Sequence, residues 1–299
     1  MRFLKLLSAV RALLSLSALV VTVAASAQDG AALRARHEAL QGELADNAFQ
    51  RPLVLESSRE GDRVRGDIHA VLPHSFGVVA AALRDSAHWC DILILHLNVK
   101  YCRARGAGAD SALDLALGRK FDQPLEQAYP LAFDWRVTAD RADYQALLLL
   151  AESGPLGTSD YRIAVETVPL DAGSTFVHMS YAYRYGLAAR LALRGYLATL
   201  ARDKIGFTVV GRDDEGEPVH VGGLRGVVER NAMRYFLAID VYLDATGLPA
   251  GQQAERRLEG WIDAVERYPR QLHELTREDY LVMKRKELER QQSVLQRAD

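Results

Sequence analysis

Between residues 98 and 185 apolar side chains recur at every second position, in six stretches separated by turn-forming residues. This period-two run narrows the fold more than any other feature. A chain that alternates this way over consecutive short segments makes strands with one buried face, and short connections join such strands as antiparallel neighbours. The predicted strands are 98–105, 112–119, 131–139, 143–151, 160–169 and 175–185, with an irregular stretch between Lys120 and Pro130.

Two of the hairpins can be registered from side chains alone. Setting Trp135 opposite Ala146 brings Phe133 to Leu148 and Val137 to Tyr144, which makes one face apolar and turns Asp134 and Arg136 to the other. Setting Tyr161 opposite Tyr183 places Ile163 on Tyr181, Val165 on Met179 and Thr167 on Val177. That register also sets Asp160 against Arg184 and Glu166 against His178, so opposite charges meet on the polar face.

Upstream, residues 30–46 read as a helix with Leu33, His37, Leu40 and Leu44 on one stripe. Strands at about Leu53–Ser57 and Arg63–Leu72 flank the turn Arg59-Glu60-Gly61-Asp62; the second carries Val64 and Ile68 on one face and Arg63, Arg65, Asp67 and His69 on the other. Pro73 stops that strand, Ser75 caps a short helix through Arg84, and Asp85-Ser86 recaps a second one bearing Trp89, Cys90, Ile92 and Leu93. After Gly186 the period becomes helical, with Leu187, Leu191, Arg194 and Leu197 in a helix ending near Asp203. A small hairpin follows around Asp213-Asp214-Glu215-Gly216, then helices at about 225–245, 250–267 and 276–296, punctuated by Gly247, Pro249 and Pro269.

The resulting order is helix, two strands, two helices, six antiparallel strands, long helix. The strand Arg63–Pro73, the helix pair Ser75–Leu95, the two registered hairpins and the helix Leu187–Asp203 together resemble the START-like, or helix-grip (SRPBCC), superfamily. The resemblance implies an α+β fold: a curved antiparallel sheet gripping a long helix, with a cavity for an apolar ligand between them. It covers roughly residues 51–204 and leaves a helical C-terminal extension outside the family pattern. The expected organisation is therefore residues 1–27 as signal peptide, 28–50 as an N-terminal helix, 51–204 as the START-like domain and 205–299 as a small hairpin with helices.

The signal-peptide reading rests on Arg2, Lys5 and Arg11, the apolar run Ala12–Val23, and the small-x-small site Ala25-Ser26-Ala27. The run is short for a membrane span, and no later stretch is long enough, so the processed chain is expected to be exported and not membrane-spanning: periplasmic in a Gram-negative host, otherwise secreted. The whole chain is formally −2, and loss of Arg2, Lys5 and Arg11 with residues 1–27 leaves −5. A mildly acidic chain without a concentrated basic face is a poor nucleic-acid binder.

Cys90 and Cys102 are the only cysteines, an even count that favours a disulfide in an oxidising compartment. His88 and His96 lie close enough to raise a metal site as the rival, but the spacing H-x-C-x5-H-x5-C lacks the tight C-x2-C pairs of structural zinc, so no metal ligand is assigned. The expected ligand-binding residues are the aromatic face and its neighbours: Phe133, Trp135, Tyr144, Tyr161, Ile163, Met179, Tyr181 and Tyr183. Packed core and cavity wall draw on the same residue types, and the tyrosines are informative because a buried hydroxyl needs a partner. His88, Asp91, His96 and Lys100 carry acid–base groups and Asn98 a hydrogen-bonding amide beside them, yet they cross a helix-to-strand junction; His96 and Lys100 are expected at surface or structural positions, with no catalytic residue assigned. The charges at the start of helix 225–245, Glu229, Arg230 and Arg234, read as polar anchors, and Lys284-Arg285-Lys286 with Glu287 and Glu289 as a solvated face.

These features favour an exported carrier for a hydrophobic or lipid-like small molecule, with no cofactor. The alternatives are a cavity enzyme of cyclase or hydrolase type and an envelope structural or adaptor protein that meets a partner through the C-terminal helices.

Overall fold

The computed structural model describes residues 30–106, 111–186 and 204–298. Eight strands form one antiparallel sheet: β1 (Leu53–Glu60), β2 (Arg63–Leu72), β3 (Val99–Arg105), β4 (Ala112–Leu117), β5 (Tyr129–Arg141), β6 (Tyr144–Ser153), β7 (Thr158–Pro169) and β8 (Thr175–Tyr185). Their order is β1-β2-β8-β7-β6-β5-β4-β3, so the last strand returns beside β2. Helix α1 (Gly30–Ala45) precedes the sheet, and α2 (Phe76–Leu83) and α3 (Ser86–Leu93) carry the chain from β2 to the far edge at β3. A separate hairpin, β9 (Val209–Arg212) with β10 (Pro218–His220), leads into α4 (Gly223–Ala245), α5 (Ala250–Val265), α6 (Pro269–Leu272) and α7 (Arg277–Ala298). The class is α+β.

Alternation splits the sheet into two faces. The inner face presents Val64, Ile68, Leu147, Leu149, Ile163, Val165, Val177 and Met179, all almost completely buried in one core that continues into α4, α5 and α7. Helix α4 lies across β2, with further contacts on β1 and β8. Gly66 makes that approach feasible: a Cβ there would stand 3.2 Å from Ala232 Cβ and 3.3 Å from the Val228 carbonyl oxygen. The outer face has its own smaller core, where Leu33, Leu40 and Leu44 of α1 meet Val54, Tyr144, Ala146, Val168 and Phe176.

The expected closing helix, Leu187–Asp203, falls outside the described residues. Among the described helices it is α4 that occupies the inner face, and its apolar residues Val228, Ala232, Met233 and Phe236 share the core of the sheet.

The β7–β8 register is the one the sequence dictates: Ile163 faces Tyr181, Val165 Met179, Thr167 Val177 and Glu166 His178. Near the turn a bulge lies between Ser159 and Arg162, so Ser159, not Asp160, stands opposite Arg184. Asp160 adopts φ 50° there, and its carboxylate still reaches Arg184 at 3.6 Å. The β5–β6 register differs from expectation. Both strands continue to a two-residue turn, Arg141 pairs with Tyr144, and an irregularity between Val137 and Ala139 leaves Trp135 opposite Leu149 and Val137 opposite Leu147. Moving Trp135 from Ala146 to Leu149 is a shift of an odd number of residues, which exchanges the faces of one strand relative to the other. Tyr144 therefore belongs to the outer face, with its ring under the Arg141 guanidinium at 4.9 Å and within the α1 core.

Candidate functional site

The inner face brings together most of the residues expected there. Phe133 and Trp135 come from β5, Tyr161 and Ile163 from β7, and Met179, Tyr181 and Tyr183 from β8; all are buried in the same core. Tyr161 stacks on Tyr183 at 5.4 Å, Phe133 meets Tyr161 edge-on at 6.5 Å, and Tyr181 lies 5.7 Å from Tyr183. Helix α4 adds Tyr235, 5.2 Å from Tyr181, and His96 stacks on Tyr235 at 4.7 Å. Tyr235 enters the site only through the docking of α4 on the sheet.

The polar atoms of this aromatic cluster are unevenly satisfied. Tyr161 hydrogen-bonds Thr158 through its hydroxyl at 2.7 Å. Trp135 is 3 % exposed, and its Nε1–H has no hydrogen-bond acceptor among the described residues. Tyr181 and Tyr183 carry no hydroxyl hydrogen bond to a described residue, although they are only 5 % and 6 % exposed. Burial pushes the Tyr181, Tyr183 and Tyr235 hydroxyls above the ordinary phenol range, and neighbouring tyrosines push Tyr181 further, so these groups are neutral. Burial likewise holds His96 well below the ordinary imidazole range, reinforced by the charges of Arg234, Lys284 and Lys120. The part of the inner face built by β5, β7 and β8 is thus an uncharged aromatic wall with hydroxyl and indole donors.

The outer face has the opposite character. Its Tyr144 hydroxyl donates to Glu166 at 2.5 Å, Glu166 meets His178 Nδ1 at 3.1 Å, and His178 Nε2 meets Asp67 at 2.8 Å. Arg65 donates to the same Asp67 oxygen at 2.6 Å. Burial raises the carboxyl of Asp67, but the bonds from His178 and Arg65 outweigh it and leave its pKa lowered. Beside this network lies an open groove of about 730 Å³. The alternation of β2 and the Glu166–His178 pairing were the sequence signals for this face.

The cysteine reading is resolved: Cys90 of α3 and Cys102 of β3 form a disulfide with Cα atoms 5.2 Å apart. No thiolate is left for the rival metal site. His96 and Lys100 are buried, 3 % and 1 % exposed, so the surface alternative is corrected. The solvated-face reading of α7 is corrected too: the side chains of Lys284 and Glu287 are fully buried, and Glu287 bonds both Lys284, at 2.7 Å, and Lys100, at 2.9 Å. Only Arg285, Lys286 and Glu289 of that run remain at the surface. The anchoring role of the early α4 charges is visible in Glu229, which is completely buried and accepts from Ser57 Oγ, Thr208 Oγ1 and the backbone N–H groups of Phe207 and Thr208.

From β2 onward the topology is strand, helix pair, then six antiparallel strands, the last of which returns to pair with the first. The fold is START-like. Solved structures similar to the chain include norcoclaurine synthase from Thalictrum flavum in complex with dopamine and hydroxybenzaldehyde, 16 % identical over 50 % of this chain and 92 % of that one, with a TM-score of 0.32. A START superfamily protein from Mycobacterium smegmatis is 15 % identical over 46 % of this chain and 92 % of that one, at TM-score 0.32. A conserved protein from Geobacillus kaustophilus is 16 % identical over 46 % and 85 %, at TM-score 0.31. No family model matches the chain, and no curated protein matches it. The START-like sheet carries the aromatic wall on the face that α4 crosses, and the charged network and groove on the other.

Proposed function

We propose that this protein is an exported binding protein that holds a hydrophobic or lipid-like small molecule against the aromatic inner face of its sheet. The observation that carries this reading is the buried Nε1–H of Trp135, which has no hydrogen-bond partner among the described residues. A buried donor without an acceptor costs about 1–3 kcal/mol. Three polar tips, those of Trp135, Tyr181 and Tyr183, lie on one otherwise apolar surface, an arrangement suited to an apolar molecule with a few acceptor atoms. Phe133, Tyr161, Ile163 and Met179 supply the surrounding apolar contact.

Export is supported by the Ala25-Ser26-Ala27 site and by the Cys90–Cys102 disulfide, which fits an oxidising compartment. Intact-mass measurement of protein from the host envelope or medium should give a chain beginning at Gln28; a mature species that keeps Met1 would reject it.

The test of the binding reading is uptake of an uncharged fluorescent apolar probe by the mature protein. Tyr181→Phe keeps the ring and removes the hydroxyl, and Trp135→Phe removes the indole donor. Both variants should keep the fold and weaken the probe. Probe binding that is absent in the wild type, or unchanged in both variants, would reject this site and favour a purely structural role for the aromatic core.

A further inference from the structure

We propose that the groove on the outer face of the sheet is a second binding site, for a single-chain amphiphile with an anionic head. Sheet pairing builds the site. Ala182 of β8 is the register partner of Arg65 on β2 and of Arg162 on β7. The two arginines therefore flank an alanine on the same face, with Cα atoms about 10 Å apart given the usual strand spacing. The next row is small as well, with Ser180 paired to Ala164, and Ala146 lies beyond it opposite the longer Glu166. Truncated side chains surrounded by long ones leave a hollow, and the cavity of about 730 Å³ occupies it, with Arg63, Arg65 and Arg162 on its lining.

The charges of the groove are unequally matched. Glu166 is engaged by Tyr144 and His178, and Asp67 by His178 and Arg65. Glu60 stands opposite Arg63 in the β1–β2 register. Arg162 has no ion-pair or hydrogen-bond partner among the described residues; after burial, Arg63 and Arg65 lower its pKa further, and Glu166 offsets them only in part. A guanidinium beside two like charges is stabilised by an added carboxylate or phosphate, which it can bind through two parallel hydrogen bonds. The floor beneath it, Ala146, Leu148, Ala164 and Ala182, has no polar side-chain atom and suits an alkyl chain. An adjoining cavity of about 430 Å³ shares Arg65 and His178 and is lined by His69, which is 5 % exposed with Nδ1 3.7 Å from Glu56 Oε2.

Titration calorimetry on the mature protein with decyl phosphate, below its micelle concentration, tests the site. One molecule should bind per chain. Arg162→Ala, a change at an exposed position, should weaken binding tenfold or more, and Ala164→Trp, which fills the floor, should weaken it comparably with circular dichroism unchanged. Decyl maltoside, which has the same chain and no charge, should bind at least tenfold more weakly, as should inorganic phosphate. No binding of decyl phosphate by the wild type would overturn the proposal. So would affinity unchanged in both Arg162→Ala and Ala164→Trp, and inorganic phosphate binding as tightly as the amphiphile would reduce the site to a bare anion contact. Decyl phosphate binding lost in Tyr181→Phe but retained in Arg162→Ala would place the ligand on the inner face and reject the outer one.

Discussion

His69 lies flat against His178, with ring centroids 4.4 Å apart and planes 5° from parallel. Two imidazoles this close do not titrate alike. Burial alone would lower His178, but its hydrogen bonds to Asp67 and Glu166 raise its pKa above the ordinary 6.5. Burial pushes His69 down to about 3, and the charge on His178 adds to the effect. The unfolded chain protonates His69 below pH 6.5, whereas the folded chain resists until about 3, so this residue costs stability as the pH falls between those values. His178 acts in the other direction: its contribution is complete below the unfolded pKa and is lost as pH rises through its raised folded pKa. Urea midpoints from pH 3 to 9 should show His69→Phe flattening the acid limb and His178→Gln flattening the limb above 6.5. An acid limb unchanged in His69→Phe would refute the assignment.

Glu287 holds Lys100 and Lys284 together inside the protein, and Lys284 also donates to the carbonyls of His96 and Val99 at 2.8 Å. Removing the carboxylate leaves two buried ammonium groups without a counter-charge. Glu287→Ala should cost about 3–5 kcal/mol in chemical denaturation, and Lys284→Met, which removes one of the charges, should cost less. Burial brings Lys284 down to about 8 from 10.5. The unfolded chain then binds the extra proton between those values, so wild-type stability should rise across that interval, and Lys284→Met should reduce the rise, leaving the share of Lys100 and Lys120, whose pKa values burial also lowers.

Gly206 sits where no side chain fits. A Cβ there would stand 2.5 Å from Glu229 Oε2, 2.7 Å from Val221 Cγ1 and 3.0 Å from Gly226 Cα. Gly206→Ala should destabilise by about 1–3 kcal/mol through overpacking. Glu229→Gln, which turns an acceptor toward the donors of Phe207 and Thr208 into a mixed group, should cost about 1–3 kcal/mol. Denaturation midpoints that move by less than about 0.5 kcal/mol in both variants would show that the 206–208 segment yields easily.

The Cys90–Cys102 disulfide ties α3 to the edge strand β3 across a sequence separation of 12 residues. A loop of this size stabilises by about 3 kcal/mol, mainly by restricting the unfolded chain. Thiol counting under denaturing, non-reducing conditions should find none free, and the double serine variant should lose about that amount. Two reactive thiols in protein isolated from its own compartment would contradict the bridge.

What the sequence determined by itself was local. Alternation placed the strands, caps and prolines placed the helix pair, and charge matching across Glu166 and His178 fixed the last hairpin, because both faces of that pairing had to agree at once. The β5–β6 register expected from the apolar face alone differs from the observed one: an irregularity beside Val137 adds a residue that no pattern announces, and it sends Tyr144 to the outer face. Tertiary structure alone decided the rest. The buried fates of Lys284 and Glu287 depend on Lys100 arriving from a strand far away in sequence, and no helical period reveals a charge whose counter-charge lies on another element. Tyr235 joined the aromatic wall only because Gly66 lets α4 lie on β2. The groove exists because three strands align Arg65, Ala182 and Arg162 in one row. Periodicity is a property of one segment, whereas burial and charge pairing belong to the contacts between segments, and those are fixed only when the sheet has closed.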